Sequence, residues 1–84
     1  MTYSQIANIF ARTYNGAKNI MTPSVVTYGK RGNLIYEIST GRGIRDEPIY
    51  GVTVLTVTGE RVPAKSDLFS TRAAAERHAR NLNA

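Results

Sequence analysis

Eighty-four residues with eleven basic and six acidic side chains, a net charge of +5, describe one small basic domain, residues 1–84. There is no cysteine, which excludes disulfides, thiolate nucleophiles and cysteine metal sites. No run approaches the ~20 apolar residues of a membrane helix, and a chain this short buries only about 60–65% of its unfolded surface, so its stability should be low.

The first element read from the sequence is an amphipathic helix over residues 4–15. Ile6, Ile9, Phe10, Thr13, Tyr14 and Ala17 recur at helical spacing. Thr2 or Ser4 is placed to cap its start, and Asn15-Gly16 to stop it. Ile20-Met21-Thr22-Pro23 reads as a connector, because the residue before a proline is pushed out of the helical region.

Ser24 to Tyr28 reads as a first strand and Gly29 to Asn33 as a hairpin turn. Leu34 to Ser39 is a second strand, with Leu34, Tyr36 and Ile38 expected on the core face and Ile35, Glu37 and Ser39 on the other. A third strand, Ile49 to Val57, is apolar or β-branched on both faces apart from Gly51, which predicts a central position in the sheet. Thr58 to Arg61 is a turn, and Arg61-Val62-Pro63 extends the third strand or forms a short fourth.

The last element is an alanine-rich helix from about Thr71 to Leu82, with Ser70 as N-cap and Phe69 stapled on Ala74. Ala75, His78, Ala79 and Leu82 share its inner stripe. The fold class is therefore α+β, in the order α-β-β-β-α: an antiparallel three-stranded sheet, with or without a short fourth strand, and two helices on one face.

Between the second and third strands lies "STGRGIRDEPIYG", Ser39 to Gly51. Its glycines and arginines suggest a phosphate cradle. Phosphate loops of the familiar kinds run from a strand into a helix, however, whereas this one joins two strands. The plainer reading is a shaped connection in which glycines supply positive φ and Arg42 and Arg45 pair with Asp46 and Glu47. Ile44, between the two arginines, must tuck back onto the domain or meet a partner.

Catalysis has little to rest on. His78, the one histidine, sits on a helix stripe and reads as a packed imidazole. No nucleophile elbow surrounds any serine, and one His without Cys makes no metal set. No catalytic, metal or cofactor-binding residue is assigned, and no cofactor is expected. Three basic groups stand out: Lys30-Arg31 at the hairpin tip, Arg42 and Arg45 in the loop, and Arg72, Arg77 and Arg80 on the last helix. In a meander the hairpin tip and the 58–61 turn fall at one end of the sheet and the 40–48 loop at the other, which divides the charge and disfavours a duplex needing many phosphate contacts together.

Two resemblances bear on this pattern. The element order and the "AAAERHA" run resemble the double-stranded RNA-binding domain, although only Arg72 of "STR" matches the basic start of that family's last helix. "LFSTRAAAERHA", Leu68 to Ala79, resembles the end of β-β-β-α DNA-binding domains of the plant and integrase-arm kinds. Over residues 22–82, "YEISTGRGIRDEPIYGVTV" and "LFSTRAAAERHARNL" are similar to small accessory proteins of actinobacterial tailed phages. That resemblance implies a phage origin, a place in the cytoplasm of the host bacterium and no particular chemistry.

The leading expectation is a non-enzymatic phage protein that binds a host protein through Arg42, Ile44 and Arg45, with Tyr36 or Tyr50 as an aromatic anchor on an open sheet face, and that slows host growth. One alternative is a nucleic-acid-binding module contacting its ligand through Lys30, Arg31, Arg42, Arg45, Arg61 and Arg72. Another is a self-assembling component. No membrane partner is expected, and both a monomer and a homodimer are compatible with the sequence.

Overall fold

A computed structural model describes the backbone of residues 1–13 and 21–82 and the side chains of 1–13 and 24–82. The chain runs α1 (Tyr3–Thr13), β1 (Met21–Arg31), β2 (Leu34–Arg42), β3 (Pro48–Thr56), a 3-10 turn (Pro63–Lys65), β4 (Asp67–Phe69) and α2 (Arg72–Arg80). The strands form one antiparallel sheet in the order β1-β2-β3-β4, giving the expected α+β class with β3 as an inner strand. The fourth strand lies at Asp67–Phe69 rather than at 61–63. Arg61 makes only an isolated bridge to Leu55, and Pro63 starts the 3-10 turn, as a residue with fixed φ and no N–H readily does.

α1 starts at a reciprocal cap. Gln5 N donates to Thr2 Oγ1 at 3.2 Å and Thr2 N donates to Gln5 Oε1 at 2.8 Å, which satisfies two otherwise orphaned donors. Tyr14, the Asn15-Gly16 stop, Ala17 and Ile20 lie outside the described residues. β1 begins at Met21, earlier than expected, and takes Pro23 into the strand. It can do so because β1 is an edge, where one face of the ladder lacks a partner, and its pairing shifts register between Met21 and Ser24.

The arrangement of the helices departs from the sequence reading: they cover opposite faces of the sheet. Ile6, Ile9 and Phe10 of α1 bury with Ile35 and Leu55. Ala75 and Ala79 of α2 and Leu82 just beyond it bury with Ile38, Val52 and Val54. Ile35 and Ile38 project from opposite sides of β2, as do Leu55 and Val54 of β3. The reason is visible in β3 itself. An inner strand that is apolar on both faces needs a cover on both, and one helix supplies each. Ile35, Glu37 and Ser39, expected on an uncovered face, are all buried.

Gly29 belongs to β1 rather than to the turn, which is Gly32-Asn33 with Gly32 at φ 58°. The Tyr36 ring lies over Gly29 so closely that a Cβ there would overlap it. On the far side of the sheet, the segment after β3 closes its outer edge. Val62 N donates to Val54 O at 2.9 Å, and the Ser66 hydroxyl accepts from Val54 N at 3.0 Å while donating to Val62 O at 3.1 Å. One side chain thus replaces a backbone partner that the ladder lacks, leaving the Val54 amide satisfied.

α2 is capped by Thr71, one residue later than expected. Its extended backbone lets Oγ1 accept from Ala74 N at 3.2 Å. Phe69 is therefore one position further from the cap, and its ring stands 5.1 Å from that of His78. His78 Nε2 donates to Lys65 O at 2.6 Å, and Lys65 Nζ donates to Leu82 O at 3.1 Å, so the helix end and the 3-10 turn hold each other.

Candidate functional site

β2 and β3 are paired down to Arg42 and Pro48, and the chain crosses between them in five residues. Gly43 N donates to Glu47 O at 2.8 Å, Asp46 N donates to Gly43 O at 3.0 Å, and Arg45 N donates to Glu47 Oε1 at 3.4 Å. The left-handed position in this loop is Asp46, at φ 61°, a role that Asp tolerates better than most residues. None of its glycines holds a positive φ, contrary to expectation. Gly43 is needed for a different reason: it is buried, and a Cβ there would overlap the Glu47 carboxylate and approach Ile49 Cδ1 to 2.6 Å.

This geometry removes the phosphate cradle. Three of the loop's amides already donate within it, and a carboxylate occupies the space beside Gly43. Arg42 Nε is 4.0 Å from Asp46 Oδ1, a solvent-exposed ion pair of little energetic weight. What the loop presents outward is Ile44, 96% exposed, with Arg42 and Arg45 exposed on either side. Ile44 does not tuck back. A bonded loop holds a bare aliphatic side chain at the tip of the sheet.

The other expected contacts are placed differently. Tyr36 and Tyr50 are half-buried against the α2-side core, so no open sheet face carries them as anchors. Tyr36 sits four register positions from Thr40, the partner of Tyr50, or about 13 Å along the strand. Lys30, Arg31 and Arg61 gather at the hairpin end, where Arg31 aligns with Leu34 and Leu34 with Thr56. Arg42, Arg45 and Arg72 lie toward the loop end, since α2 starts just after Phe69, the partner of Tyr50. The expected division between ends is present.

One group was missed altogether. Glu37 is 6% exposed on the α1 face, opposite Tyr28 on β1 and Thr53 on β3. Burial pushes its carboxyl up, and the hydrogen bond donated by the Tyr28 hydroxyl partly opposes that. Burial, then the nearby charge of Glu37, pushes the Tyr28 phenol up to about 12. The register between β1 and β2 reveals this pair: counted outward from the Gly32-Asn33 turn, Tyr28 falls opposite Glu37, before the first shift in β1 between Val25 and Thr27. Ser39 Oγ, two residues on and 2% exposed, has no hydrogen-bond partner.

The raised carboxyl has a consequence for stability. A group whose folded pKa exceeds its unfolded value of 4.5 supports the fold fully below pH 4.5 and loses that support as pH rises through the folded value. At neutral pH the buried carboxylate therefore weakens the fold. Glu37→Gln keeps an acceptor for Tyr28 and never ionises, so it should melt above wild type at pH 7, with the gap closing below pH 4.5. Thermal melts by circular dichroism at pH 4 and pH 7 read this directly. A variant that melts lower at pH 7 would show that the charged form is the one the fold stabilises.

No group of His, Asp and Glu among the described residues is placed to hold a metal ion. The His78 ring nitrogen is engaged with Lys65 O, and the Ser66 hydroxyl both accepts and donates. No helix among the described residues is long and apolar enough to cross a membrane. Comparison with protein-family models, curated proteins and solved structures found no match to this chain.

Proposed function

We propose that this chain is a non-enzymatic phage accessory protein that binds a protein of its host through the loop between β2 and β3. The observation that carries this reading is Ile44, 96% exposed at the tip of a loop closed by its own hydrogen bonds. Water gains nothing from a branched aliphatic side chain held out in this way, whereas a partner pocket gains apolar burial without having to order the loop. Arg42 and Arg45 beside it supply the polar rim that such a contact needs, and Arg is enriched where binding energy concentrates. The phage origin, and with it a place in the cytoplasm of the host bacterium, rests on the resemblance read in residues 22–82 of the sequence.

Self-assembly through sheet edges is less well supported. β4 has three residues, and β1 carries Pro23 and two register shifts, features that discourage edge-to-edge pairing. A monomer follows.

The test is capture from nuclease-treated host lysate with tagged wild type and tagged Ile44→Glu. The wild type should enrich one host protein, and Ile44→Glu should lose it by tenfold or more while melting like wild type, since the side chain touches no core. Equal capture by both proteins, or nothing enriched by wild type, would remove the loop from the mechanism.

A further inference from the structure

The ends of the sheet differ in more than shape. The ion pairs of Arg42 with Asp46 and of Arg72 with Glu76 involve cations from the loop-side group. There Asp46 and Glu47 offset Arg42 and Arg45. At the hairpin end, Lys30 and Arg31 are exposed at the close of β1, and Glu60 and Arg61 follow the turn after β3. The last turn of α1, which carries Arg12, reaches the same end, since a Cβ on Gly59 would stand 3.0 Å from Thr13 Cγ2. Arg12, Lys30, Arg31 and Arg61 thus share an end with a single acid from those turns, Glu60. Dividing the cations by position alone, as the sequence invites, overlooks where the acids fall.

We infer that this end is a second binding surface, for the phosphate backbone of double-stranded nucleic acid. Its composition selects that partner over a protein or a membrane. Among the described residues the exposed large apolar side chains are Met1, Tyr3, Val25, Ile44 and Leu68, and none belongs to residues 29–33 or 58–61. A protein interface needs an apolar centre and a membrane contact needs an inserted apolar face. Phosphates need only cations and polar donors. Among the described residues the exposed aromatic, Tyr3, already packs edge-on against Tyr28 at 5.4 Å, and none of them offers a free ring at this end for stacking unpaired bases. Arg31 and the Thr56 column are two strand spacings apart, about 10 Å, a span over which a duplex presents several phosphates. The Ile44 loop is eight residues along β2, about 27 Å away, so the two surfaces are separate.

The test uses a fluorescently labelled 20-base-pair DNA duplex of arbitrary sequence, read by anisotropy between 25 and 200 mM salt. Wild type should bind with a log–log salt slope of about −2 to −4, from two to four neutralised phosphates. Lys30→Ala with Arg31→Ala should weaken binding at 50 mM salt about tenfold or more and flatten the slope by about 1.8. Arg72→Ala with Arg77→Ala removes the same charge from α2 and should change neither beyond twofold. Circular dichroism melts matching wild type confirm that both variants fold. Absence of binding at 25 mM salt would overturn the inference, as would equal losses in the two variants. Displacement of the duplex by poly-glutamate at matched charge would assign the surface to acidic protein instead. Single-stranded DNA binding as tightly as duplex would also overturn it.

Discussion

Val54→Asp should abolish the cooperative thermal transition at neutral pH. Val54 is 0% exposed on the α2 face, packed with Ile38, Val52, Ala75 and Ala79. Its backbone is already fully paired, with N–H to Ser66 Oγ and C=O to Val62 N, so the strand has no slack with which to turn the side chain outward. The aspartate would lose the valine's apolar burial and add an unpaired charge where no cation reaches it. An 84-residue domain has about 4–13 kcal/mol of stability in total. A buried unpaired charge costs several kcal/mol by itself, enough to exhaust the lower half of that range. Circular dichroism melts at pH 7 provide the measurement, with Arg42→Ala and Arg45→Ala as exposed controls that should melt like wild type. A Val54→Asp protein with a wild-type melt would place β3 outside the core, and the position of the loop it carries would fall with it.

How far sequence reading reached is set by the range of the interactions involved. α1, β2, β3 and α2 were legible because Ile6, Ile9 and Phe10, or Ala75, Ala79 and Leu82, repeat with the period of the element that buries them. β4 was not, because three residues carry no period. Its strand character comes from pairing with Tyr50, Gly51 and Val52, partners fifteen to nineteen residues earlier in the chain. The placement of the helices was missed although its cause was in view. Val52 and Val54 alternate with Thr53 and Leu55, and a strand without a polar face asks for two covers.

The loop shows the same limit at smaller scale. That Gly43 and its neighbours made a shaped connection could be read from composition, and so could the alternative fates of Ile44. Which residue turned left-handed could not. Asp46 takes that conformation, while Gly43 serves to admit the Glu47 carboxylate. Ile44 was legible as a question, and its exposure decides it because the backbone bonds between Gly43 and Glu47 leave the tip no route inward. The buried Glu37 was illegible for a further reason. A carboxylate in a strand ordinarily marks the solvent side, and only α1 crossing the second face turns that side into interior.

The second large effect should come from the core that α1 makes. Phe10 is 1% exposed, and its ring centroid stands 5.4 Å from that of Tyr28 over a floor of Ile35 and Leu55. Phe10→Ala should cost about 3–5 kcal/mol, from lost transfer energy and from the cavity left under the helix. For a domain of this size each kcal/mol lowers Tm by about 4–8 °C, so the protein should remain folded in the cold and melt far below wild type. Little else holds α1 down: Ile6 and Ile9 are its other buried side chains, and a helix of eleven residues is marginal without packing. Loss of the ring should therefore loosen the helix before the rest of the domain. Tyr28 reports on that step, because burial is the main cause that pushes its phenol up to about 12. In wild type an alkaline absorbance titration should show a late-ionising tyrosine that Tyr28→Phe removes. In folded Phe10→Ala the same phenol should ionise nearer 10.0. A variant that loses less than about 1 kcal/mol and keeps its late tyrosine would mean that α1 only rests on the sheet. The burial that raises the Tyr28 phenol would then come from elsewhere than the Phe10 ring.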